Sequence, residues 1–199
     1  MALFSRIRMV LAALVIAAPL AGCGQINAVP TYEAQAKAKW AEVQNQYQRR
    51  ADLIPNLVAT VKGYATHEQE TLTQVVEARA KATQVKVDAS TVTDPEKFKQ
   101  YSQAQSELSG ALSRLLVSVE RYPDLKANQN FLALQSQLEG TENRISVARR
   151  DYIEAVRAYN TELTTIPGAW VAKILYPSAK PMETFAAADS AQSAPQVKF

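Results

Sequence analysis

Cysteine is almost missing from this chain: of 199 residues only Cys23 carries a thiol, which excludes an internal disulfide framework. Glycine is scarce, with six residues, and that scarcity argues against a turn-rich, strand-based fold. Histidine occurs once, at His67, so neither the paired histidines of a zinc-protease helix nor the repeated Glu-x-x-His units of a di-iron bundle can be assembled. The four residues His67, Glu68, Gln69 and Glu70 are therefore expected to form an exposed polar helix face, with no metal. No Gly-x-Ser-x-Gly elbow, phosphate loop or dinucleotide fingerprint occurs, and no cofactor is implied. A block of basic charge is lacking too. The formal charge is +3, and Arg6 and Arg8 lie among the first 22 residues, which hold no acid. The remainder carries 20 basic and 19 acidic residues, a balance that argues against nucleic-acid binding.

What is present begins with an export signal. Arg6 and Arg8 precede an apolar run over residues 9–20, MVLAALVIAAPL, too short for the about 20 apolar residues that cross a bilayer. Leu20, Ala21, Gly22 and Cys23 follow in a row and resemble the lipobox of bacterial lipoproteins. That resemblance implies cleavage before Cys23, a diacylglycerol on its thiol and a third acyl chain, such as palmitate, on the freed amine. Two or more acyl chains give stable anchoring where one is marginal. Gly24 stands where aspartate marks inner-membrane retention, which favours the periplasmic side of the outer membrane, with the inner membrane as the alternative.

The body reads as long helices. Trp40, Val43, Tyr47, Ile54, Leu57 and Val61 recur mostly at steps of three and four, continued by Leu72, Val75 and Val76. Pro55 predicts a kink or short break near residues 52–56, with Asn56 capping the resumed helix. After a patternless stretch over 86–93, Asp94, Pro95 and Glu96 supply an N-cap, a proline at the first helical position and an acid in the first turn. Phe98, Tyr101, Leu108, Leu112, Leu115, Val119 and Tyr122 follow on one face, which only Gln105 interrupts, and Pro123 ends the helix. Residues 124–128 are expected to connect, with Asn128 or Asn130 as the next cap. Phe131, Leu134, Leu138, Thr141, Ile145, Ala148, Tyr152, Ala155 and Tyr159 then keep heptad spacing up to Ile166, Pro167 and Gly168. The apolar segment 170–176 is expected to dock on the bundle end. The fold class is all-α: an elongated antiparallel, up-and-down bundle of three to four long helices, a short C-terminal helix and a disordered tail.

Five blocks in this order resemble the LemA family: QRRADLIPNLV at 48–58, VKGY at 61–64, ERYPDLKAN at 120–128, Asn130 with Phe131, and TENRI at 141–145 with Ala148, Arg149 and Arg150. They span roughly 40–167. The resemblance implies an antiparallel bundle on the outer face of a membrane, held by an N-terminal anchor. The family has no settled biochemical activity. Its members are often encoded near TPM-domain proteins, which suggests such a protein as an envelope partner. Two departures stand out: a lipobox replaces the transmembrane segment common in the family, and Ile153 stands where asparagine is usual.

The chain thus divides into a cleaved signal peptide (1–22), an anchor and spacer (23–30), a LemA-like bundle (31–167), a short docking segment (168–185) and a flexible tail (186–199). The candidate interaction cluster comprises Arg49, Arg50, Asp52, Glu142, Asn143, Arg149 and Arg150. The favoured reading is that these charges fix helix register through inter-helix pairs. The alternative is a groove for an acidic or polar ligand, since arginine matches carboxylate and phosphate. The corresponding functions are a non-enzymatic helical scaffold tethered to a membrane through acylated Cys23, or a ligand-binding or hydrolytic protein.

Overall fold

A computed structural model describes residues 26–186 except Thr66 and Ala89. The segment expected to be a signal peptide, the expected lipobox with Cys23, and the residues beyond Ala186 lie outside the described residues. The helices run in the order α1 (Ala28–Lys62), α2 (Gln69–Gln84), a 3-10 turn (Thr91–Thr93), α3 (Pro95–Val119), α4 (Pro123–Lys126), α5 (Gln129–Thr164) and α6 (Gly168–Leu175). No strand occurs among the described residues, and none of the helices is long and apolar enough to cross a membrane. The chain forms two compact units. Among the described residues, one takes in α1 up to Ala38 together with Glu154–Pro181; the other comprises Lys39–Ile153 and residues 182–186.

In the larger unit, α1 and α5 run antiparallel: Lys39 pairs with Asp151 at 3.1 Å and Arg50 with Glu142 at 2.8 Å. α2 and α3 run antiparallel as well, since Glu68 meets Arg121 and Ala82 meets Gln105. The result is the up-and-down bundle that the heptad spacing predicts. Asp94 caps α3 by accepting the backbone N–H groups of Glu96 and Lys97 at 3.0 and 3.2 Å. Asn128, not Asn130, caps α5 by accepting the Phe131 N–H at 3.1 Å, and its amide donates to the Tyr64 hydroxyl.

Several expectations are corrected. α1 continues unbroken through Pro55, so Asn56 is interior and caps nothing. Proline lacks the N–H that would bond the carbonyl four residues back, at Ala51. That carbonyl instead accepts the Nε–H of Arg79, from α2, at 2.8 Å. α3 ends at Val119, short of Tyr122, and residues expected only to connect form the single turn α4. α1 starts at Ala28 with Val29 buried, inside the segment read as spacer. On α5 the stripe passes from Tyr152 to Val156, which is fully buried, while Ala155 is half-buried. Glu68 does not face water: it is buried and accepts from Arg121 at 2.7 Å and from the Tyr122 hydroxyl at 3.0 Å. That second bond raises the Tyr122 pKa.

Candidate functional site

The core of the larger unit changes character along its length. Toward the α1–α2 turn it is aliphatic: Ile54, Leu57, Val61, Leu72, Val75, Leu108, Leu112, Leu115 and Leu138 pack together, with Phe131 as a ring among them. Toward the other end it is aromatic. Trp40 lies 5.7 Å from Phe98, 5.4 Å from Tyr101 and 5.2 Å from Tyr152, ring centre to ring centre, separations at which aromatic pairs attract beyond their area burial. Burial holds the Tyr101 and Tyr152 hydroxyls well above the usual phenol range.

Between the two halves lies a polar layer built on Arg50. It occupies a place on the buried stripe of α1, one turn from Tyr47 and one from Ile54, and it is 1% exposed. One terminal guanidinium nitrogen donates to Ser109 Oγ at 2.6 Å and Glu142 Oε1 at 2.8 Å. The other donates to the Gln105 carbonyl at 3.1 Å and its side-chain Oε1 at 2.7 Å. Gln105 in turn donates to the Ala82 carbonyl at 3.4 Å. One guanidinium therefore ties α1, α3 and α5, and reaches α2 through Gln105. Its carbon sits 5.0 Å from the Tyr47 ring centre, a cation–π distance. Burial raises the Tyr47 pKa, and the positive charges of Arg149 and Arg50 oppose that shift. Glu142 is 43% exposed, so the ion pair spans the boundary between core and water, which lowers its desolvation cost.

A cleft of about 750 Å³ adjoins this layer, its walls including Arg50, Lys99, Glu142, Arg149 and Glu183. The C-terminal strap of the unit forms part of it. The Glu183 N–H donates to the Val92 carbonyl at 2.7 Å, the Tyr152 hydroxyl donates to the Glu183 carbonyl at 2.8 Å, and Phe185 joins the aromatic cluster 5.0 Å from Phe98. Arg149 lies 4.2 Å over the Phe185 ring.

Of the seven cluster residues, Arg50, Glu142 and Arg149 are brought to this cleft. Asn143 lines a neighbouring surface hollow with Glu42, Gln46 and Arg144. Arg49, Asp52 and Arg150 do not join them. Arg49 and Asp52 are exposed, Asp52 accepting from Gln48, and Arg150 reaches Asp151 at 3.5 Å. Sequence reasoning missed Gln105, Arg79, Glu68 and Phe185. Gln105 carried a signal, as the polar interruption of an apolar stripe; Arg79 and Phe185 carried none. Among the described residues no group of three or more His, Cys, Asp or Glu side chains is placed to hold a metal ion.

Long helices packed up-and-down across a buried arginine layer define a helical-bundle protein. The model of the LemA family matches residues 39–199, and the chain belongs to that family. It is similar to Protein LemA of Metamycoplasma hominis, 29% identical over 123 residues that cover 62% of this chain and 52% of the relative. It is also similar to Magnetosome protein MamQ 2 of Paramagnetospirillum magneticum and Magnetosome protein MamQ of Magnetospirillum gryphiswaldense. Each is 24% identical over 164 residues, 74% of this chain and 60% of the relative. The chain thus spans about half to three-fifths of the length of these curated relatives.

Proposed function

We propose that the protein is a membrane-anchored envelope lipoprotein whose helical bundle serves as an interaction scaffold, held on the periplasmic side of the outer membrane through acylated Cys23. The observation that carries this reading is the fate of the charges. The terminal nitrogens of Arg50 are consumed by Ser109, Gln105 and Glu142, and Glu68 is taken up by Arg121 and Tyr122. Charges spent on inter-helix register stiffen the bundle and leave its outer faces as the means of recognition. The likeness to magnetosome proteins is in keeping with a place at a membrane. Its client is another envelope protein, with a TPM-domain protein as the first candidate.

The test is a crosslinking pull-down of the full-length acylated protein from native membranes, with Cys23→Ser as control. Reproducible capture of one envelope protein, weakened in the control, supports the scaffold. Absence of any partner above background, from protein shown to be folded and acylated, overturns it.

A second reading, ligand binding or hydrolysis, draws on one observation: Arg50 Nε is buried and makes no hydrogen bond, beside a cleft that Arg149 also lines. An Arg149→Gln variant that keeps its melting temperature but loses binding of a carboxylate or phosphate compound favours that reading. Loss of stability together with function favours the scaffold.

A further inference from the structure

α6 is built inside out for a water-facing helix. Its small residues, Gly168 and Ala172, are buried one turn apart, while Trp170 and Ile174, on the opposite side, are 61% and 75% exposed. Ile166 and Leu175 extend the exposed apolar surface. The inward side is tightly fitted: a methyl group on Gly168 would collide with the Glu162 carbonyl oxygen, so the helix is pinned by its small face. Within this apolar segment it is the small residues that are buried, and the large apolar ones are exposed.

We infer that the exposed face of α6 lies in the headgroup region of a bilayer containing anionic lipid. Three observations select a membrane as the occupant. First, residues 163–182 contain no acid, while exposed Lys173 lies within α6 and exposed Lys180 follows its end by five residues, a charge pattern that suits anionic headgroups. Tryptophan favours the boundary between headgroup and acyl chain, and isoleucine beside it adds apolar surface to bury there. Second, α6 belongs to the same compact unit as the first turns of α1. Within that unit Glu33 lies near enough to Tyr159 to add to the burial that pushes its hydroxyl up to about 12. About one and a half turns further along each antiparallel helix, Ala28 and Thr164 come side by side, so α6 leaves the bundle beside the start of α1. Third, Ala28 follows Cys23 by only five positions, and chain geometry keeps it within about 17 Å of that residue. The second and third points rest on the anchoring reading given above; the first stands without it. Ile26, also exposed, adds apolar surface just before α1.

The test uses the full-length acylated protein in vesicles of phosphatidylglycerol and phosphatidylethanolamine with brominated acyl chains, read by tryptophan fluorescence. The chain has two tryptophans, and Trp40 is buried in the core, so Trp170→Phe isolates the contribution of α6. The expected result is a blue-shifted Trp170 emission quenched by bromine near the headgroup end of the acyl chain. Quenching should weaken in Lys173→Gln, Lys180→Gln protein and disappear in Trp170→Phe. Vesicle-bound protein whose Trp170 stays red-shifted and open to aqueous acrylamide overturns the inference and leaves the anchor standing. A Trp170 shielded from acrylamide but not quenched by lipid also overturns it, since a protein surface then covers the face. Trp170 quenched by lipid, with Cys23→Ser retained on vesicles as well as the native protein, upholds the inference and sinks the anchor.

Discussion

The two halves of the bundle core, aliphatic and aromatic, share α1, α3 and α5 and differ in what completes them, α2 in the first and the C-terminal strap in the second. In the aliphatic half, Leu57, Leu108 and Leu115 are fully buried and need only close packing. In the aromatic half, buried phenols bring hydroxyls that must be satisfied, and Tyr152 meets that need with the backbone of the C-terminal strap. The aliphatic half is closed by residues 54–138, the aromatic half only after Phe185 arrives from the far end of the unit. Side-chain chemistry therefore sets how far along the chain each half must reach for completion.

The largest expected effect is in the aromatic half. Trp40→Ala removes the ring that touches Phe98, Tyr101, Tyr152 and Phe185, and should cost about 4 kcal/mol by denaturant unfolding, with the strap released to proteolysis. Leu115→Ala, its aliphatic counterpart, should cost about 3 kcal/mol and leave the strap protected. Strap release in both variants would break the contrast between the halves. Next comes the boundary itself. Arg50→Ala should cost about 3 kcal/mol, at the low end for a broken buried pair because Glu142 reaches water. Arg50→Met, which restores volume and apolar contact, should recover part of that loss.

The aromatic half should also be the more sensitive to alkali, since it buries Tyr47, Tyr101 and Tyr152 where the aliphatic cluster has only the partly buried Tyr122 beside it. Tyr47, Tyr101 and Tyr152 have pKa values raised by burial in the fold, so their neutral forms stabilise it. That contribution is fully present below about pH 10, the unfolded phenol value, and is lost as pH rises above it. A melting temperature that falls above pH 10, and falls less in Tyr101→Phe, is the expected outcome; a flat profile to pH 12 would remove this distinction. The smallest effect concerns Pro55, in the aliphatic half. Arg79→Ala should cost about 1 kcal/mol by leaving the Ala51 carbonyl without its donor. In a Pro55→Ala background the restored N–H takes over, and the same substitution should cost measurably less in a double-mutant cycle.

Much of the bundle was readable in advance because its determinants are local. Asp94 and Pro95 start α3 within three residues, and the stripes of α3 and α5 follow from 3.6-residue periodicity. Arg50 was readable as a candidate for a register pair, since its spacing from Tyr47 and Ile54 places a charge on a buried stripe. Its partner Glu142 lay in the same candidate set, but nothing in the sequence matched the two rather than Arg49 with Asp52.

The sequence by itself determined the long helices, the cap at Asp94, a choice between Asn128 and Asn130 for the next, the apolar faces and hence an antiparallel bundle, because each depends on residues a few positions apart. Tertiary structure alone decided the rest. Pro55 stays helical because a side chain 24 residues later bonds the carbonyl it leaves bare. Phe185 completes an aromatic core begun at Trp40. α6 turns its small face inward because Gly168 admits the Glu162 carbonyl where any side chain would collide. Local rules rank what a segment prefers, but a buried donor, ring or contact is assigned by whichever distant group the fold carries to it.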